Sequence, residues 1–120
     1  MYRIHSKRIY SGVSPDDGCR ILVDRLWSRG LSKDKAQVDI WMKEVAPSAD
    51  LRKSFHSGAI SFDEFRDAYL AELQTNINAN VLVGLCSDVL QSKNITLLYA
   101  VKNDRENNAV VLEEWLQKQI

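Results

Sequence analysis

Ile95-Thr96-Leu97-Leu98-Tyr99-Ala100-Val101 is the stretch that decides the fold. It is apolar almost throughout, rich in residues that suit a pleated surface, and bounded by Asn94 and Lys102. A strand with one wet face alternates apolar and polar side chains. This one does not, so both of its faces must be covered, as in a central strand of a parallel sheet.

A second run of the same kind, Ile21-Leu22-Val23, lies between Arg20 and Asp24-Arg25. The two runs are expected to be neighbouring central strands. Residues 2–10 alternate loosely, with Tyr2, Ile4, Ile9 and Tyr10, and predict a first strand. The connection from Ser11 to Gly18 contains Gly12, Pro15 and Asp16-Asp17-Gly18, which is turn chemistry. It is short for a parallel crossover and would suit a hairpin, so the sequence leaves both pairings open.

The middle of the chain reads as helical. Ser32 can cap a short helix through Ala36. Asp39 to Val45 predicts another helical turn or two, with Ile40, Trp41 and Val45 on its apolar side and Pro47 as its stop. Ser48 can cap a helix from Ala49 that carries Leu51 and Phe55. Ser61 with Glu64 forms a capping-box pattern ahead of Phe62, Phe65, Tyr69 and Leu73. Thr75 to Asn80 holds three asparagines and interrupts the pattern, which resumes at Val81, Leu82, Leu85, Cys86, Val89 and Leu90. After the deciding strand, Lys102 to Glu106 is a polar loop. Asn107 or Asn108 can cap a last helix bearing Val111, Leu112, Trp115 and Leu116. The expected architecture is a single small α/β domain over residues 1–120, with a mostly parallel central sheet and helices packed on it.

Composition narrows the function classes. The 120 residues are 45% hydrophobic and 27% charged, an ordinary globular balance that argues against disorder. The formal net charge of zero disfavours a nucleic-acid-binding domain. Within it, residues 1–35 carry eight basic and four acidic side chains, so a local basic surface is possible in the first third. Cys19 and Cys86 fit no zinc spacing and read as buried free thiols. His5 and His56 lack metal-type partners at helical spacing, and no metal or cofactor is expected. MYRIHSKRIY lacks the apolar core of a signal peptide, and no apolar run approaches a bilayer span; no membrane association and a reduced, cytoplasmic location are expected.

Two loops are candidates for chemistry, because ligands of open α/β sheets bind beyond the carboxyl ends of the strands. The first is Asp24-Arg25-Leu26-Trp27-Ser28-Arg29-Gly30. Arg25 and Arg29 can fork onto a phosphate or carboxylate. Asp24 can orient an arginine, accept a proton or take a ligand hydroxyl. Trp27 can stack on a flat ligand, and Gly30 permits close backbone approach. The bland alternative is an Asp–Arg pair that pins the loop while Trp27 fills core. The second loop, Lys102 to Asn108, leads into a helix N-terminus, which favours anions. Lys102 would reinforce that field, and Asn107 would either join the site or merely cap the helix. No Walker loop, GxGxxG or GxSxG element is present.

Three blocks carry a family resemblance: RILVDRLWSRGLSKDKA (20–36), DIWMKEVAPSADLRKSF (39–55) and ITLLYAVKNDRENNAVVLEEWL (95–116). In this order they resemble the bacterial YeaO-like family, a domain of unknown function. The resemblance spans Ile4 to Leu116. It implies a compact α/β domain and brings no activity, substrate or cofactor. The chain departs from the family pattern with Ser28 in place of a usual proline, Ser54 in place of a frequent tryptophan and Glu106 in place of a common histidine. More distant relatives carry a cysteine near the position of Tyr99, and thiol or histidine chemistry is not carried over.

The reading that follows is a protein that binds a small anionic ligand, bearing phosphate or carboxylate and nucleotide-like in size, at its strand ends, with or without turnover. The alternatives are a nucleic-acid-associated module using the basic first third, and a non-catalytic interaction domain. The oligomeric state is not legible.

Overall fold

A computed structural model describes residues 1–120. Four strands form one sheet: β1 (Ile4–Arg8), β2 (Cys19–Leu22), β3 (Ile40–Trp41) and β4 (Ile95–Tyr99). Their order is β1-β4-β2-β3, and every pairing is parallel. The two apolar runs are the two central strands, with Ile21 opposite Leu97 and Leu22 opposite Leu98. Five helices accompany them: α1 (Lys33–Ala36), α2 (Ala49–His56), α3 (Phe62–Thr75), α4 (Ile77–Val89) and α5 (Asn108–Gln119).

The side-chain period of two divides each strand between two cores. Ile21, Val23, Ile95, Leu97 and Tyr99 enter the larger core with Phe65, Tyr69, Leu82, Leu112 and Trp115 of the helices. Leu22 and Leu98 point the other way, into a smaller cluster with Ile9 and Ala36, against which Trp27 and Trp41 pack. Both faces of the central strands are therefore buried, which is why their sequences do not alternate.

The first connection is a parallel crossover, with β4 lying between β1 and β2. It has no crossover helix, only 3-10 turns at Ile9–Ser11 and Pro15–Asp17. A buried polar latch does the helix's work. Asp17 accepts from the Ser14 N–H, the Lys7 ammonium and the Arg20 guanidinium. Arg20, only 3% exposed, also donates to the carbonyls of Gly12, Ala36 and Gln37. Thr96 on β4 donates to the Asp17 carbonyl. Pairing and hydrogen bonding of this completeness are what a buried charge requires.

The helical turns expected over Asp39 to Val45 divide into a strand and a single 3-10 turn at Lys43–Val45. Ile40 and Trp41 pair with Ile21 and Leu22, and the Met42 N–H donates to the Leu22 carbonyl at 2.9 Å. A two-residue strand shows no periodicity, and only its β2 partner gives it away. The other starts fall as the caps predict. Ser32, Ser48, Ser61 and Asn107 each accept a backbone N–H of the first turn, and Ser61 with Glu64 completes a reciprocal box. The interruption near residue 76 is one residue wide: Asn76 ends α3 and caps α4. No helix is long and apolar enough to cross a membrane.

Candidate functional site

All four strands run the same way, so their carboxyl ends share one edge of the sheet. A cleft of about 750 Å³ opens there. Of the residues singled out from the sequence, Asp24, Arg25, Trp27, Arg29, Lys102 and Asn107 line it. Gly30 does not. It takes φ +81° in open space on the far side of the turn, so its lack of a side chain serves the chain reversal and not a close approach.

Asp24, just past β2, is held by neutral donors. One carboxylate oxygen accepts from the Ala100 N–H at 2.9 Å and the other from the Asn108 amide at 3.1 Å. No arginine or lysine pairs with it. Burial pushes its carboxyl above the ordinary carboxylate range, against the opposing pull of Asn108, the Ala100 N–H and the charges of Arg52 and His56. The alternative of an Asp–Arg loop pin is therefore not what forms: Asp24 ties together the ends of β2, β4 and α5.

Arg25 is exposed and donates to the Pro47 carbonyl at 3.0 Å. Arg29 is exposed, and its guanidinium has no protein partner, although its backbone carbonyl accepts from the Tyr10 hydroxyl. Trp27 is half-buried; its indole N–H donates to Leu31, and its ring meets Trp41 edge-on at 5.5 Å. Trp27 thus fills the smaller core while keeping part of its surface on the cleft. Asn107 is buried, accepts from the Val110 N–H and donates to the Asn103 carbonyl, so its polar atoms serve the cap.

Sequence reading missed several lining groups. Arg8 ends β1, donates to the carbonyls of Ala100 and Val101, and lies over the Tyr10 ring at 4.6 Å. The same strand-end rule that picked Asp24 and Lys102 applies to it, once β1 is known to pair with β4. Arg52 and His56 arrive on α2, and no local signal marks them. Ser28 is 2% exposed, and its hydroxyl lacks any partner in the protein. Ala46, Pro47, Phe55 and Phe65 supply an apolar wall, the two phenylalanines stacked at 4.5 Å.

Around this cleft stand five cations (Arg8, Arg25, Arg29, Arg52 and Lys102) and two carboxylates (Asp24 and Glu106). None of the seven belongs to an ion pair. The basic first third is thereby divided: Lys7 and Arg20 are consumed by the Asp17 latch, while Arg8, Arg25 and Arg29 face the cleft. Nowhere are three or more His, Cys, Asp or Glu side chains gathered as a metal would need. Both thiols are buried away from the cleft, and burial pushes Cys86 up to about 12.

Residues 3–120 match the family described as the inactive DUF488-N3 subclade. The chain belongs to this family. It is 42% identical to the uncharacterised protein YeaO of Escherichia coli over 95% of its own length and 96% of that protein's. Uncharacterised proteins of Mycobacterium tuberculosis and Mycobacterium bovis are each 48% identical over 71 residues, which is 59% of this chain and 60% of theirs. No solved structure matches. The YeaO-like resemblance read from the three sequence blocks is thus a true family membership.

Proposed function

We propose that the cleft binds a small anionic ligand bearing phosphate or carboxylate. The observation that carries this reading is five cations against two carboxylates around one concavity, none of them neutralised by an ion pair. Unpaired guanidinium forks suit planar or tetrahedral oxyanions, and low-dielectric walls strengthen their attraction. The cleft volume of about 750 Å³ falls in the range of roughly 300–1,000 Å³ found for small-molecule sites and admits a nucleotide-sized ligand. The family's description as inactive favours binding over turnover.

A thermal-shift screen of phosphorylated and carboxylated metabolites tests it. A ligand at a hundred times its dissociation constant adds about 2.7 kcal/mol of stability. Because the exposed Arg29 guanidinium makes no hydrogen bond or ion pair within the protein, Arg29→Ala should leave the unliganded melting point within about 0.5 kcal/mol of wild type and abolish the ligand-induced shift. Arg29→Lys should weaken it, since the ammonium keeps the charge but loses the fork. A ligand shift that survives Arg29→Ala beside a sharply lowered unliganded melting point would overturn the reading.

A further inference from the structure

An acid in a cleft that attracts anions needs a reason. Asp24 lies among five cations yet pairs with none of them. Each of its oxygens accepts one N–H, from Ala100 and from Asn108. An ionised carboxylate offers about four acceptor positions, so about two remain. Asp24 is only partly buried and lines the cleft. A bare anion placed beside it would be repelled. A hydroxyl would be welcomed.

Ala100 sets the geometry. Its N–H goes to Asp24 at 2.9 Å, and its carbonyl accepts from Arg8 at 2.9 Å. Acceptor and guanidinium thus hydrogen-bond the same residue, one at its N–H and the other at its carbonyl. Ser28 lines the same cleft, and its buried hydroxyl has no partner in the protein.

Resting on the anion-binding reading, we propose that Asp24 makes the cleft selective for a hydroxylated anion, with a phosphate held by the arginines and a hydroxyl a few bonds away given to Asp24. Polyol phosphates, sugar phosphates and the ribose phosphate of a nucleotide share this chemistry. Simple phosphate or an alkyl phosphate does not.

Two probes of equal charge and similar size decide it: glycerol 3-phosphate and n-propyl phosphate, titrated calorimetrically. Wild type should bind glycerol 3-phosphate roughly tenfold or more tightly, the range for a hydrogen bond to a charged group. In Asp24→Asn the two probes should move in opposite directions. Glycerol 3-phosphate should weaken, while propyl phosphate should bind as well or better, because a repelling charge has gone. A purely structural role for Asp24 would weaken both together, and that result would overturn the proposal. So would equal affinities in wild type. If those equal affinities both vanish in Arg29→Ala, the anion site stands and only its selectivity falls. If neither probe binds up to its solubility limit, while Arg29→Ala changes nothing in the wider screen, both readings fall.

Discussion

At the scale of single residues, the Asp17–Arg20 pair is the most deeply buried ion pair in the molecule. Each residue is 3% exposed, and each hydrogen-bonds several partners. Removing one member of such a pair leaves the other charged and unmatched, so Arg20→Leu should lower stability by about 3–5 kcal/mol in urea titrations. Acidity gives a second handle. Burial works to raise the Asp17 carboxyl, but the Ser14 N–H and the cations Lys7 and Arg20 outweigh it and hold the group below its ordinary value of 3.8. The folded state therefore gains stability above the ordinary carboxylate range and loses it as pH falls through the lowered value. The difference between wild type and Asp17→Asn should be widest near neutral pH and narrow in acid. A constant difference from pH 7 down to the acid transition would refute this assignment. None of this was legible beforehand, because Asp16-Asp17-Gly18 reads locally as an ordinary turn and its partners Lys7 and Arg20 belong to two strands.

At the scale of elements, legibility follows how local the determining interactions are. A cap is fixed within four residues, so Ser48, Ser61 and Asn107 announce their helices. Ser61→Ala should cost about 1 kcal/mol, seen as a lowered urea midpoint with an unchanged slope. The strand Ile40–Trp41 has no such local mark, because its existence depends on β2 lying alongside. Gly18 is an intermediate case. Its place in a turn is plain from sequence, but the reason it must be glycine is not. It takes φ +65°, and a Cβ there would collide with the Asn94 carbonyl, which also receives the Cys19 N–H at 2.8 Å. Gly18→Ala should cost more than the roughly 1–3 kcal/mol of backbone strain alone, since the entry of β2 must shift from β4. A melting point within a degree or two of wild type would contradict this packing.

At the scale of the whole molecule, two apolar runs pointed to a mostly parallel sheet, with the direction of the first strand left open, and the sheet's polarity placed the cleft. What composition hid is that the cleft's acid and its cations are not partners, and this separation yields a prediction about proton linkage. Burial raises the Asp24 carboxyl; the groups facing it are the Asn108 amide of α5, the Ala100 N–H after β4, Arg52 and His56 of α2 and the buried Tyr69 phenol of α3. With its folded value above 3.8, Asp24 binds more protons in the folded chain than in the unfolded one. Its contribution to stability is present in acid and lost as pH rises through the raised value, the reverse of Asp17. An anion that gives Asp24 no hydroxyl adds negative charge near it and raises the group further, so its binding should add a proton to Asp24. A hydroxyl donated to the carboxylate instead favours the ionised form and opposes that rise. Calorimetry of n-propyl phosphate binding in two buffers of different ionisation enthalpy measures the net uptake directly. His56 lines the same cleft, so the comparison belongs in a His56→Gln background. There, the Asp24 share of the uptake is read as the difference from Asp24→Asn in the same background, because the phosphate titrates in its own right. That share should be greatest where Asp24 is partly protonated and should fade as pH rises well above that region. Uptake that persists unchanged in the doubly substituted protein would place the proton elsewhere and remove Asp24 from the linkage.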